Sequence, residues 1–137
     1  MKLMILAIVA ASGMLAVPAW SQSALPGSQF QATHYYETSL EKDPSRVVRL
    51  NSLVLPPGSA NPFHRHPGDQ WTTIQEGEVT FTIKGEPPRV LKAGDSVYIP
   101  RGTIHRNQNL TDKPARMIEL NIMDKDKPQT EVVTNTN

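Results

Sequence analysis

The 137-residue sequence contains no cysteine. A chain without thiols forms no disulfide, thiolate zinc site, iron–sulfur cluster or cysteine nucleophile. It also lacks an excess of either charge, because 14 basic and 13 acidic residues give a formal net charge of +1, and no block of like charge occurs. Nucleic acid is therefore not an expected partner, since binding to it depends on clustered lysine and arginine side chains.

Helical periodicity is missing from the polar part of the chain. Twelve prolines and eight glycines interrupt the sequence every few residues, which disfavours long helices and suits short strands joined by turns. A chain of this length has room for one domain. We therefore expect a single all-β domain.

A long hydrophobic run occurs at the N terminus. Lys2 precedes the apolar residues 3–17, after which small residues and then a polar composition follow. This order is typical of a secretory signal peptide, and the run is shorter than the roughly 20 residues that a membrane-spanning helix needs. We predict a signal peptide at residues 1–21, cut after Ser21 or Ala19, and a periplasmic or secreted protein that is free of the membrane after cleavage. A retained membrane anchor is the alternative.

The remaining chain is divided into three parts by its pattern. Residues 22–45 form an N-terminal extension with one strand, residues 46–123 form the β-domain, and residues 124–137 form a polar tail that is expected to fray. Period-two alternation is clearest in residues 78–84, which indicates one buried and one solvated face. The expected strands lie at residues 33–36, 46–55, 78–84, 89–92, 96–99, 105–109 and 115–123. Short strands so closely spaced favour an antiparallel sandwich or barrel.

Histidines supply the candidate chemistry. His64 and His66 are two residues apart, so in a strand both side chains point to one face and can converge on one metal ion. Gln70 can present its amide oxygen from the next stretch, and His105 would come from a distant strand. An isolated pair of this kind is more often a packing or surface feature. His34 lies apart from these residues and is expected to have a surface or structural role.

Two stretches resemble the two motifs of the cupin family. The first, GSANPFHRHPGDQWTTIQEG, begins at Gly58 and ends at Gly77. The second, GDSVYIPRGTIHRNQN, runs from Gly94 to Asn109, and sixteen residues separate the two motifs. The resemblance implies a single-domain cupin, a double-stranded antiparallel β-barrel of the jelly-roll type.

The resemblance also implies one divalent transition metal ion, held by His64, His66, Gln70 and His105. Gln70 departs from the family pattern, in which most metal-binding members carry glutamate, and the alternative is a metal held by the three histidines and water. Neutral ligands leave the ion its full double charge, which favours an anionic ligand. Nitrogen and oxygen donors suit manganese, iron, zinc, copper, cobalt or nickel, and the identity stays open.

The resemblance implies a metal-dependent enzyme acting on a small anionic or enolisable molecule. A dioxygenase is favoured, and a carbon–carbon lyase or an isomerase is compatible with the same pattern. A non-catalytic module that binds a metal or a small ligand is the alternative. A homodimer formed through a sheet edge is expected, and no catalytic acid or base is assigned. Core packing is the expected role of Phe63, Trp71 and Tyr98, and lining of the pocket is the alternative.

Overall fold

Ten strands joined by turns make up residues 29–134, which are the residues that the computed structural model describes, and no helix occurs among them. The strands are β1 Gln31–Leu40, β2 Asp43–Leu55, β3 His64–Arg65, β4 Gly68–Glu76, β5 Glu78–Ile83, β6 Arg89–Lys92, β7 Ser96–Ile99, β8 His105–Gln108, β9 Ala115–Asp124 and β10 Glu131–Val132. The predicted signal peptide at residues 1–21 lies outside this range. Within the range, no segment could cross a membrane as a helix.

The strands form two five-stranded antiparallel sheets. The first sheet has the order β1-β2-β9-β4-β7 and the second has the order β10-β3-β8-β5-β6. Neighbouring strands are mostly distant in sequence, as in the pairing of β2 with β9. Two such sheets packed face to face form the jelly roll, and the predicted all-β fold is confirmed.

Apolar side chains fill one end of the space between the sheets. Leu55, Val79 and Met117 are fully buried there with four further residues. A smaller cluster of Phe81 and two neighbours lies nearer the histidines, where the Phe81 ring is 5.6 Å from the ring of His105. Burying one such side chain contributes about 1.5–3 kcal/mol, so these clusters hold the two sheets together.

The middle of the interior is polar. On β9, Met117, Glu119 and Asn121 are buried, whereas Leu120 between them is exposed. The alternation has the expected period of two, but its polar members point inward. A polar interior between two sheets marks this region as the place for a site.

The observed strands extend beyond the sequence-based expectation. The strand expected at residues 33–36 spans Gln31–Leu40 and pairs with β2 in the first sheet. β4 was not foreseen as a strand. The expectation that the tail frays is wrong, because residues Glu131–Val132 pair with β3.

Candidate metal centre

Two neighbouring strands of the second sheet, and the residue that follows one of them, carry the three histidines. β3 pairs with β8 through the register partners His64 and His105. His66 follows β3 directly, and it is buried like His64 while Arg65 between them is exposed. The alternation of an extended chain therefore turns both members of the pair inward.

The three imidazole rings form one compact cluster. The ring centre of His64 lies 5.0 Å from that of His66 and 4.3 Å from that of His105, and the third separation is 5.3 Å. One nitrogen from each ring can be chosen so that all three lie within 4.8 Å of one another. The structure thus brings together three of the four predicted ligands from segments some forty residues apart.

Main-chain carbonyls orient all three rings. Nδ1 of His64 donates to the carbonyl of Pro62 at 2.9 Å, and Nδ1 of His105 donates to that of Thr103 at 3.0 Å. Nδ1 of His66 donates to the carbonyl of Gln129 at 2.7 Å. Because a carbonyl only accepts, each Nδ1 carries the hydrogen and each Nε2 keeps its lone pair.

Burial keeps these imidazoles neutral. Loss of solvent is the main cause that lowers the pKa of His64 to about 4, and the charge of the neighbouring His66 is the second cause. Loss of solvent is also the main cause that lowers the pKa of His105 to about 3, and the charge of His64 is the second cause. Desolvation likewise lowers the pKa of His66. At neutral pH the cluster therefore presents three uncharged nitrogen donors, the form that binds metals.

The donor set fits a divalent transition metal. Nε2 of His66 and Nε2 of His105 are buried and have no hydrogen-bond partner, although buried polar atoms are normally satisfied. Three imidazole nitrogens with carbonyl-bound Nδ1 atoms are the arrangement found around zinc, iron and copper. The group His64, His66 and His105 could therefore hold one metal ion, which would supply a positive charge and open coordination positions for an oxygen ligand.

Gln70 lies on β4 of the opposite sheet. It is buried, and it stands in register with Asn121 on one side and Ile99 on the other. Neither its Oε1 nor its Nε2 has a partner of hydrogen-bond geometry. An unpaired buried amide is available to a ligand or an ion, and direct ligation by Gln70 stays a prediction.

Glu119 is a buried carboxyl group that sequence reasoning did not single out. It stands in register with Thr72 of β4 and with Asn51 of β2. Burial raises the pKa of Glu119 to about 7, and the nearby amide of Gln70 offsets part of this rise by favouring the charged form. The sequence places Glu119 on the same face of β9 as Met117 and Asn121, but it does not show which face of this strand is buried.

A polar wall surrounds Glu119 on the first sheet. We use this term for the inward side chains Asn51, Gln70, Thr72, Glu119 and Asn121. Four of them have buried atoms without a hydrogen-bond partner among the described residues, namely Nδ2 of Asn51, both amide atoms of Gln70 and Asn121, and Oγ1 of Thr72. Each such atom costs about 1–3 kcal/mol when left unpaired, so the wall is suited to a polar occupant.

The remaining candidates have structural roles or face solvent. Nδ1 of His34 is hydrogen-bonded to Oδ1 of Asn51 at 2.6 Å. Asn109 holds a turn by donating to the carbonyls of Leu55 and Lys113. The expectation of core packing for Trp71 and Tyr98 is wrong, since they are 41% and 50% exposed and their rings lie 5.0 Å apart on the outer face of the first sheet.

A cleft opens beside His66. Its volume is about 260 Å³, and Arg65, Arg101, Lys127 and Glu131 line its charged surface. Arg65 pairs with Glu131, and Arg101 pairs with Asp124 outside the cleft lining. With the paired Asp124 included, three cations against two anions leave a single positive charge beside His66, which favours small anions weakly.

The family of this chain follows from its sequence and fold together. Residues 51–122, more than half of the chain, match the Cupin domain family. The chain belongs to the cupin family.

Two relatives show how the chain compares with known proteins. It is 40% identical over 68 residues to the dimethylsulfoniopropionate lyase DddQ of Ruegeria pomeroyi, which covers 50% of this chain and 33% of that protein. The crystal structure of DddQ from the same organism matches with a TM-score of 0.64 and 26% identity over 81% of this chain and 59% of that one. A cupin-like protein from Thermotoga maritima matches with a TM-score of 0.68 and 21% identity, covering 85% of this chain and 86% of that one. The chain thus spans about a third of the length of the curated lyase. The likeness to the Thermotoga protein shows the fold.

Proposed function

We propose that this cupin is a metal-dependent enzyme acting on a small anionic or enolisable molecule. The observation that supports the proposal is the cluster of three buried histidines, whose ligand nitrogens lie within 4.8 Å of one another and two of which, His66 and His105, have an unpaired Nε2. A divalent ion bound by neutral donors would retain its double charge and polarise an oxygen of the substrate. The positive cleft beside His66 favours the same class of substrate.

The chain's own residues supply the other functions that such a reaction needs. Amide and hydroxyl groups of the polar wall can donate to and accept from the oxygens of a substrate. The Glu119 carboxyl group is buried beside Gln70 and is a candidate proton acceptor or donor. Burial of the whole set excludes water and strengthens each of these interactions.

Two reaction classes follow from different observations. Dioxygenase chemistry is favoured by the motif resemblance. A lyase or isomerase is favoured by the buried Glu119, because these reactions remove a proton from carbon, and by the likeness to a protein described as a lyase. Neither class requires a further organic cofactor.

A substrate panel distinguishes these classes from a non-catalytic binding module. The metal-loaded protein is incubated with 1,3-diketones, phenolic compounds, cyanohydrins and dimethylsulfoniopropionate, and oxygen uptake and products are followed. Oxygen consumption would identify a dioxygenase, whereas product formation without oxygen, lost in Glu119→Gln, would identify a lyase or isomerase. Tight ligand binding without turnover under several metals would overturn the enzyme proposal and leave the binding module.

Metal analysis tests the site itself. We expect His64→Ala, His66→Ala and His105→Ala each to lose most of the metal, because three nitrogen donors hold it. Gln70→Ala should weaken retention less, by about 10-fold, as expected for loss of a weak or outer ligand. Elemental analysis of the purified variants measures this, with His34→Ala as the control. A full metal complement in all three histidine variants would contradict the site.

We also propose that the protein is exported and acts as a homodimer outside the cytoplasm. The order of Lys2, an apolar run and small residues supports export. Mass spectrometry of the protein from an exporting host should give an N terminus at Gln22 or Trp20. An intact residue 1 in the exported fraction would contradict cleavage.

A further inference from the structure

The C-terminal segment of residues 129–133 is attached to the histidine-bearing strand. β10 pairs with β3 through Glu131 opposite Arg65 and Val132 opposite His64. The main-chain N–H of Val133 donates to the carbonyl of Phe63 at 2.8 Å. The tail is therefore an edge strand of the second sheet, and it lies beside the strand that contains His64.

An ion pair holds the same segment in register. Nη2 of Arg65 donates to Oε1 of Glu131 at 2.6 Å, and Nε of Arg65 donates to Oε2 at 3.0 Å. Both side chains are largely exposed, so the pair contributes little to global stability. Its two parallel hydrogen bonds fix the position of the segment instead.

His66 differs from the other two histidines in the origin of its carbonyl partner. His64 and His105 each donate to a carbonyl two residues earlier in their own loop. His66 donates at 2.7 Å to the carbonyl of Gln129, which is 63 residues further along the chain. The orientation of this one ring thus depends on the docking of the tail.

We propose that the main-chain carbonyl of Gln129 is a positioning group of the metal centre, which fixes the tautomer and direction of His66 through the docked C-terminal segment. The inference rests on the proposed metal-binding function of the three histidines. With Nδ1–H engaged, Nε2 keeps a lone pair directed at the cluster. Without the carbonyl, the ring is free to place its hydrogen on Nε2, and that tautomer cannot bind a metal through the same atom.

The segment also lines the cleft beside His66. Lys127, Pro128 and Glu131 belong to this lining, together with Arg101. Docking of the tail therefore builds one wall of this cleft and orients one ligand at the same time.

Proline substitution in the full chain tests the positioning role. Val133→Pro removes the N–H that donates to Phe63, and Thr134→Pro is the matched control at an exposed neighbour. The metal-free proteins are labelled with ¹⁵N-histidine, and long-range ¹H–¹⁵N spectra report which ring nitrogen carries the hydrogen. In Val133→Pro we expect only His66 to lose its Nδ1–H form, while His64 and His105 keep theirs.

Zinc affinity, measured by competition with a chelator, gives the second readout. We expect Val133→Pro to bind zinc 10- to 100-fold more weakly than the natural chain, and Thr134→Pro to bind equally well. A folded Val133→Pro with an unchanged His66 tautomer and unchanged zinc affinity would overturn the proposal. A natural chain that binds no zinc, with a His66 tautomer that still responds to Val133→Pro, would overturn the metal-site proposal and leave the role of the tail intact.

The ion pair decides the matter if Val133→Pro does not fold. Arg65→Glu and Glu131→Arg each place like charges opposite one another on β3 and β10, whereas the double exchange restores an attractive pair. We expect each single variant to weaken zinc binding and shift the His66 tautomer, and the double variant to recover both. Equal behaviour of all three variants and the natural chain would refute the inference.

Discussion

Burial shifts the pKa values of the inward histidines and of the inward Glu119 in opposite directions. His64 and His105 are held neutral by burial, with pKa values of about 4 and about 3. Glu119 is held neutral up to a pKa of about 7 by the same cause. An interior that disfavours every charge is suited to concentrate the field of one bound cation, because little screening remains around it.

These pKa values predict how the stability of the metal-free protein depends on pH. Between about pH 4.5 and 6.5, unfolding lets His64 and His105 take up protons, so their contribution to stability grows as the pH rises. Glu119 releases its proton on unfolding in the same window, so its contribution diminishes as the pH rises. The two histidines change the free energy of unfolding more than the single carboxyl group does. We therefore expect the free energy of unfolding to increase from pH 4.5 to 6.5, measured by urea denaturation in small pH steps.

Glu119→Gln separates the two contributions. An amide does not titrate, so the opposing contribution is removed and the increase in stability with pH should become steeper. A glutamine variant with the same or a shallower pH dependence would show that Glu119 is not held neutral in the folded protein.

Strands predicted from apolar alternation were found where their inward face is apolar. β6 and β7 have the expected bounds, and β5, with Val79 and Phe81 inward, differs by one residue. β4 escaped prediction because its inward residues include Gln70 and Thr72, so a buried strand reads as polar. Which three histidines come together was predictable from the spacing of the two motifs, because each motif is a short continuous stretch of sequence.

Other features depend on partners that are far away in the chain. β10 has two residues, and its pairing is set by β3. Trp71 and Tyr98 were expected in the core, but the inward residues beside them are Gln70 and Thr72 on β4 and Val97 and Ile99 on β7, so both rings lie on the outer face. On β4 and β9 the buried face is polar, and this explains the missed Glu119 and the misplaced Trp71.

The contact between β4 and β9 leaves no room for a side chain at Gly68. A Cβ there would lie 2.1 Å from the carbonyl oxygen of Ile122 and 2.5 Å from Cα of Met123. Because both are main-chain atoms, Gly68→Ala must push the strands apart, and we expect a loss of about 3 kcal/mol in the free energy of unfolding. Urea denaturation measures the loss.

Gly85→Ala is the matched control. A Cβ at Gly85 meets nothing within 4 Å, and only the positive φ of 87° disfavours alanine there. That strain is worth about 1–2 kcal/mol. Equal losses in the two variants would contradict the close approach of β4 and β9.

A row of apolar side chains crosses the whole outer face of the first sheet. Tyr36, Leu50, Leu120, Trp71 and Tyr98 are successive register partners on β1, β2, β9, β4 and β7. Exposed apolar surface of this continuity marks an interaction site. Because a two-fold axis brings one patch onto its own copy, the row can serve as the contact of the proposed homodimer.

Sedimentation equilibrium of the natural chain should therefore give a dimer. We expect Trp71→Ser to raise the dimer dissociation constant by about 30-fold, the effect of removing a central aromatic side chain worth about 2 kcal/mol. Leu110→Ser, an exposed apolar position outside the row, should leave it unchanged. A dimer that persists in Trp71→Ser would place the contact at a sheet edge, as the motif resemblance implies, and a monomeric natural chain would refute the dimer.

The pairing of β2 with β9 joins Arg46 to Asp124, close to the two limits of the barrel in the sequence. Contacts between such remote segments close large loops, so they form late and slowly compared with the hairpins between them. The histidine cluster likewise joins segments that are remote in the sequence, namely β3, β8 and the tail. We therefore expect an ion to bind after the chain has folded, unlike the ion of a zinc finger, around which the polypeptide folds.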